Sequence, residues 1–395
     1  MAQRTQAEKR NTKAAGRAKT VVQDHYFDYA LLFLVIFLIA FGLIMLYSTS
    51  SYIAQTKFDG DSAYYVKKQL FSVAAGTCLL IFFTAVPYRT WGKLWGLIYA
   101  AALALNILVI VKGSTYGGST RWLSIGGFSF QPSETAKIAC IVIVAWLISR
   151  SPRQFRDFRN VIKVLVLIAP LFALIAYSNL STAIIVLAIV FVMLFVAHPG
   201  YKQFVGAAVL VVGAVAAFLL TASYRVTRIQ VWLHPENYPD EAYQTLQGLY
   251  AIGSGGWFGK GLGNSIQKLV VPEPENDMIF TIICEELGLI GGICVILLFV
   301  LLCWRFMVIA NSADDLFGSM IAIGVMAHIA VQTILNIAVV TNTIPNTGVV
   351  LPFISYGGSS TMILMAEIGI VLNVSRGIRI SAPQEVLQPS GKVSV

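Results

Sequence analysis

The stretch Val270-Val271-Pro272-Glu273-Pro274-Glu275-Asn276-Asp277-Met278-Ile279-Phe280, running on to Glu285-Glu286-Leu287-Gly288, sets two prolines and three carboxylates ahead of an apolar run long enough to cross a bilayer. Two further carboxylates fall in the first turns of that run. A charge inside a membrane helix or at its lip is costly, so it is paired, lines a wet cavity or reacts. Local chemistry offers a simpler role, a solvated loop leading into a helix capped by Asn276 or Asp277 beside a favourable dipole. That role suits Glu273. Asp277 differs, because it stands where loop meets membrane and other parts of the chain bring polar groups to the same depth.

Working outward, composition sets the class. Of the 395 residues 57% are hydrophobic and only 12% charged, and the mean hydropathy is +0.75. That is too apolar for a soluble globule and too long for one span, so the chain is expected to be all-α and polytopic in a membrane. Cys78, Cys140, Cys284, Cys294 and Cys303 lie in apolar runs without C-x-x-C spacing and read as small core residues. The net charge of +9 collects at the ends of apolar runs, which suits membrane topology and an anionic leaflet and gives no sign of nucleic-acid binding. No cleavable signal peptide is visible, since the first apolar run is too long and lacks a small-residue cleavage motif.

In chain order, a basic segment over 1–27 is expected to be a disordered cytoplasmic tail. A membrane domain over 28–376 follows, with helices expected near 28–47, 69–87, 92–111, 133–149, 161–177, 180–197, 202–221, 278–303, 317–340 and 351–374. Residues 377–395 form a second cytoplasmic tail. Ten crossings return both termini to one side. The positions of Arg89, Lys93, Arg150, Arg153, Arg156, Arg159, Lys163, Lys202 and Arg305 agree, all falling on the side of the basic tail. No internal repeat of the transporter kind is evident.

The outer loops are unequal. The one between the seventh and eighth helices, about 222–277, far exceeds the roughly 12–15 residues at which an unstructured connection becomes unusual, so it is expected to carry function. Its middle, Gln244 to Gly253, has the pattern of a short amphipathic helix lying on the membrane surface. The following Ser254-Gly255-Gly256-Trp257-Phe258-Gly259-Lys260-Gly261-Leu262-Gly263 is read mainly as turns, with Lys260 and Lys268 as candidates for an anionic ligand.

Two more polar groups of residues stand at the same face. Arg121-Trp122 lies in a loop ahead of Gln131-Pro132-Ser133-Glu134-Thr135-Ala136-Lys137, where Pro132 suits a first helical position and Glu134 and Lys137 share a helix face. This pair either satisfies itself or serves function, and a lysine near Asp277 would hold that carboxylate ionised. Trp122 has the character of an interfacial aromatic. The last apolar run is preceded by Asn336 and Thr341 to Gly348 and opens on Leu351-Pro352-Phe353-Ile354-Ser355-Tyr356-Gly357-Gly358-Ser359-Ser360. Two prolines, paired glycines and hydroxyls in that setting predict a broken or re-entrant approach to the membrane, or close packing through small residues.

Together these motifs resemble the SEDS family of bacterial shape, elongation, division and sporulation proteins. The resemblance rests on Tyr47-Ser48-Thr49-Ser50 after the first helix, Lys68-Gln69, Arg121-Trp122, Gln131 to Glu134 with Lys137, the glycine-rich loop, Pro272-Glu273-Pro274 with Asp277, Glu285 to Gly288, and Leu351 to Ser360. The run Asn336 to Thr341 and the basic tail are more similar to the division and sporulation members than to the elongation members. One departure stands out: where the family usually has Pro-Asp-Leu-Gly-Thr, this chain has Ser178-Asn179-Leu180-Ser181-Thr182, so Asn179 replaces a carboxylate.

The resemblance implies a peptidoglycan glycosyltransferase that polymerises lipid II on the outer face of the cytoplasmic membrane, at the division septum. A sugar hydroxyl would displace undecaprenyl diphosphate with inversion, and Asp277 matches the family's catalytic aspartate as general base. Glu134 and Lys137 would position it, Arg121, Lys260 or Lys268 would neutralise the diphosphate, and Gln131, Ser133, Ser355 and Ser359 complete the expected substrate-binding set. A divalent cation (Mg or Mn) at the diphosphate is compatible with this chemistry, although no spacing identifies a metal site. The implied partners are a class B penicillin-binding protein transpeptidase and other divisome proteins. A lipid II flippase is the alternative class, since Glu134, Lys137, Glu285 and Glu286 would also serve passage. Against it stand the missing repeat and the gathering of polar motifs at one face. A non-catalytic scaffold for the transpeptidase is the third reading.

Overall fold

The computed structural model describes residues 26–378, except 117–118, 126–127, 199 and most of 201–222. The basic tail expected over 1–27, the helix expected near 202–221 and the second tail therefore lie wholly or largely outside the described residues.

Nine described helices are long and apolar enough to cross a membrane. They are α1 (Tyr29–Lys57), α2 (Tyr64–Ala85), α4 (Trp95–Lys112), α5 (Pro132–Arg150), α6 (Phe158–Ser178), α7 (Leu180–Ala197), α10 (Ile279–Ser312), α11 (Leu316–Val340) and α12 (Gly358–Arg376). Shorter helices intervene: α3 (Tyr88–Lys93), α8 (Ser223–Leu233) and α9 (Tyr243–Ser254). The apolar runs located each span because a helix needs about 20 residues to cross hydrocarbon. α5, α11 and α12 are the most enclosed; Tyr29, Phe33, Phe71 and Trp304 on other helices stay exposed, as lipid-facing side chains do.

Three details refine the expected picture. α1 runs on to Lys57, so Tyr47 to Ser50 are helical and do not follow the helix. The loop ahead of α5 contains a small antiparallel sheet in the order β1 (Ser114–Tyr116), β2 (Ser119–Ile125), β3 (Phe128–Phe130), with Leu123 opposite Phe130. α12 begins at Gly358, and Leu351 to Gly357 are non-helical. This is the broken approach expected of that stretch. Phe353 there has φ of 63°, a conformation that a bulky residue holds only when its surroundings impose it. The neighbour that admits it is Gly42 of α1, where a Cβ would lie 2.7 Å from the Phe353 carbonyl oxygen and the Ile354 Cα.

α10 is interrupted in a comparable way. Gly288 has φ of 72° and ψ of −174°, and the glycine-rich loop is spliced into the gap. The amides of Lys260 and Gly261 donate to the carbonyls of Glu285 and Glu286 (3.0 and 2.9 Å), while the amides of Leu289 and Ile290 donate to Gly256 and Trp257 (2.8 and 3.3 Å). The backbone groups that the break leaves free are thus satisfied by protein, as non-helical backbone at membrane depth requires. At the opposite end of the bundle Arg89 bridges Asp314 and Asp315 (2.8 and 2.7 Å), and Arg305 pairs with Asp28 (2.5 Å).

Candidate active site

α2, α5, α7, α11, the loop before α10 and the broken approach to α12 surround a cavity of about 1110 Å³. Asp277 lines it with only 8% of its surface exposed. Two neighbours fix this residue, and a third supports one of them. Asn336 of α11 donates from Nδ2 to the Asp277 carbonyl (2.7 Å) and to the Val349 carbonyl (2.8 Å). Gln244 of α9 donates from Nε2 to Asp277 Oδ1 (3.4 Å) and to the Pro272 carbonyl (3.2 Å). Asn346 donates to Gln244 Oε1 in turn (3.0 Å).

The carboxyl of Asp277 is pushed up from 3.8 to about 6, first by burial and then by the negative Glu273 and Glu275 on the same loop. Glu275 is raised as well, again chiefly by burial. The expectation that a lysine beside Asp277 holds it ionised is therefore corrected. Lys137 Nζ instead meets Glu134 Oε1 at 2.9 Å and Gln332 Oε1 at 3.0 Å, making a buried pair in the cavity wall. A carboxylate at about 6 is largely ionised at neutral pH and takes up a proton more readily than an ordinary one.

Of the other expected residues, Arg121, Gln131 and Ser359 line the cavity with Asp277, Glu134 and Lys137. Gln131 Nε2 donates to Ser133 Oγ (3.0 Å), so Ser133 supports the wall from a buried position. Ser355 is structural: its Oγ accepts from the Leu351 amide (2.8 Å) and closes the non-helical turn.

Lys260 and Lys268 lie elsewhere. Lys260 Nζ meets Glu285 at 2.6 Å, and Lys268 Nζ lies 3.6 Å from Glu286 while donating to the Gly263 carbonyl (2.6 Å). Both carboxylates are fully buried. Ser48 Oγ donates to Glu286 at 2.7 Å, and Ser265 Oγ and the Ile266 and Gln267 amides donate to Glu285. These lysines neutralise buried charge where the loop joins α10, which removes the basis for assigning them to a ligand. Lys57, Lys68 and Arg121 line the cavity as further cations, together with Lys67, which is paired with Asp61 (2.9 Å).

Sequence reasoning missed Gln332 and Lys57 as wall residues and Gln244 as a partner of Asp277. A signal for Gln332 existed: His328, Gln332 and Asn336 recur every four residues and so form one polar stripe on an otherwise apolar helix. Among the described residues no group of three or more His, Cys, Asp or Glu side chains is arranged to hold a metal.

Residues 29–380 match the family model FTSW_RODA_SPOVE, described as "Cell cycle protein". Stage V sporulation protein E of Bacillus subtilis (strain 168) is 39% identical over 355 residues, which cover 88% of this chain and 97% of that protein. A probable peptidoglycan glycosyltransferase FtsW of Trichlorobacter lovleyi is 36% identical over 364 residues, covering 90% and 94%. Among solved structures, a chain from work described as "Structural coordination of polymerization and crosslinking by a peptidoglycan synthase complex" superposes with a TM-score of 0.74 at 25% identity, covering 89% of this chain and 98% of that one. The rod shape determining protein RodA of Thermus thermophilus gives 0.66 at 26% identity, covering 89% and 97%.

Proposed function

The chain belongs to the FtsW, RodA and SpoVE family of cell cycle proteins, and from that membership we propose that it is a peptidoglycan glycosyltransferase that polymerises lipid II at the outer face of the cytoplasmic membrane. The observation that carries the mechanism is Asp277, a buried carboxylate raised to about 6 on the wall of a large cavity that Glu134, Lys137 and Arg121 also line. A base of that strength, held in place by Asn336 and Gln244, is matched to removing a sugar proton near neutral pH.

In the proposed reaction the acceptor hydroxyl gives its proton to the Asp277 carboxylate as its oxygen bonds to the donor anomeric carbon. The bond from that carbon to the diphosphate oxygen breaks, and undecaprenyl diphosphate leaves with the electron pair. Diphosphate is a good leaving group, so one carboxylate suffices. Arg121 with Lys57 and Lys68 supplies positive charge at the departing diphosphate, an electrostatic stabilisation that strengthens in a site shielded from water. Glu134 and Lys137 hold the facing wall. The apolar side chains Ile53, Phe71 and Ile185 at the cavity margin suit passage of the lipid tails sideways into the bilayer.

Similarity to a chain of a peptidoglycan synthase complex supports a class B penicillin-binding protein as partner, and the FtsW and sporulation relatives support work at a septum. The test reconstitutes the chain with that transpeptidase in vesicles carrying labelled lipid II. Glycan strands are the expected product. Movement of label between leaflets with no strand formed would overturn the glycosyltransferase reading in favour of a flippase.

A further inference from the structure

His328 sits midway along α11 with no exposed surface, and Glu367 of α12 is 1% exposed beside it. Their contacts run in sequence toward the cavity: Glu367 Oε2 to His328 Nδ1 (2.8 Å), His328 Nε2 to Gln332 Oε1 (3.0 Å), Gln332 Oε1 to Lys137 Nζ (3.0 Å), and Lys137 Nζ to Glu134 Oε1 (2.9 Å). Two acids and two bases buried inside the helix bundle are expensive, and residues of this kind are retained for a task.

The hydrogen-bond inventory fixes the direction of the chain. Gln332 Nε2 donates to the Val350 carbonyl (3.0 Å), so its Oε1 is the atom turned to Lys137 and His328. An ammonium only donates, and an amide oxygen only accepts. His328 must therefore carry a proton on Nε2 and donate it. Glu367 then shares one proton with Nδ1, either as carboxylate to imidazolium or as neutral acid to neutral ring. Both forms keep Nε2–H pointing at Gln332. A carboxylate alone beside Nδ1 would pull the ring proton to the wrong nitrogen, and the Gln332 oxygen excludes that tautomer.

We propose that His328 and Glu367 are positioning residues for the glycosyl transfer: they lock the Gln332 amide, and through it hold Lys137 and Glu134 in the cavity wall facing Asp277. This rests on the reading of the cavity as the transfer site. One side of Gln332 is held by His328 from within the bundle and the other by Val350 of the broken approach to α12. The amide thus ties the lysine to the same non-helical segment that Asn336 ties to Asp277. A wall set this way loses rate when its supports slacken, even though none of them touches the reacting atoms.

The test uses the full chain with its transpeptidase partner and lipid II. His328→Leu alone would leave Glu367 buried and unpaired and fold poorly, so the informative variant is His328→Leu/Glu367→Leu, which removes both polar partners together. It is expected to melt at or above the parent temperature while kcat falls about ten- to a hundredfold. Glu367→Gln, whose amide can still donate to Nδ1, is expected to recover most of the rate. A double variant with parental kcat would overturn the proposal, as would Glu367→Gln falling to the level of the double variant. The acid limb of the rate near pH 6 is expected to stay in place in both, because the neighbours of Asp277 are untouched. A parent enzyme with no such limb would count against the general-base reading alone, and the comparison of double variant with parent would still decide the positioning role.

Discussion

Asn336 holds Asp277 by its backbone: one side-chain nitrogen on α11 donates to the Asp277 carbonyl at 2.7 Å and to the Val349 carbonyl at 2.8 Å. A single amide therefore joins a membrane helix, the end of the long outer loop and the broken approach to α12. The carboxylate itself faces the cavity, and among the described residues Gln244 is the side chain that donates to it. Rigid backbone with a lightly bonded side chain is the arrangement a general base needs, since strong donors would lower its basicity.

Replacing Asn336 by Leu leaves two buried carbonyls without a donor, at a cost of about 1–3 kcal/mol each. The variant is expected to melt lower and to polymerise lipid II at least about tenfold more slowly. Thermal unfolding and strand synthesis on the same preparation check both effects.

The rate should depend on pH through Asp277. Below about 6 the carboxyl is protonated and cannot accept the sugar proton, so kcat is expected to fall as pH drops through that value. Glu273 is exposed and raises Asp277 by its charge. Glu273→Gln should therefore shift the acid limb to lower pH, which a rate profile from pH 5 to 8 would reveal.

Stability should move with the opposite sign. Because the folded carboxyl titrates near 6 and its ordinary value is 3.8, the fold is favoured by protonation. That contribution is full below the ordinary value and is lost as pH rises through about 6, amounting to about 3 kcal/mol. Asp277→Asn removes this ionisation cost. The variant is expected to gain stability over the parent at pH 8 and to show little difference at pH 4, measured by thermal unfolding at both.

Lysines of the two groups should separate by phenotype. Lys260→Met strips the partner from fully buried Glu285 and is expected to destabilise by about 3–5 kcal/mol, leaving KM for lipid II unchanged in the folded fraction. Arg121→Met and Lys68→Met, on the cavity, are expected to melt normally and raise KM or lower kcat. Melting curves with steady-state kinetics on each variant distinguish them.

Most of the membrane architecture was legible because hydrocarbon thickness imposes a length on every apolar run. The late start of α12 was harder to place: Leu351-Pro352-Phe353-Ile354 is as apolar as a helix, and the turn at Phe353, admitted by Gly42 far away in sequence, and the bond from the Leu351 amide to Ser355 Oγ keep it unwound. Asp277, Glu134 and Lys137, which share one cavity, stood out in the sequence because a carboxylate or ammonium in apolar surroundings is conspicuous by itself. The partners of Lys260 and Lys268 were not, since they pair with Glu285 and Glu286 across a loop rather than along one helix. Gln332 escaped because a neutral amide costs less to bury than a charge and so stands out less, although its four-residue spacing from His328 and Asn336 marked it.

The most direct measurement is strand synthesis from purified lipid II by the chain paired with the proposed transpeptidase partner, comparing parent and Asp277→Asn at equal folded concentration and pH 7.5. The parent is expected to build glycan strands and the variant none, with its fold intact by thermal unfolding. Strands formed by Asp277→Asn at the parental rate would contradict the assignment of Asp277 as the base.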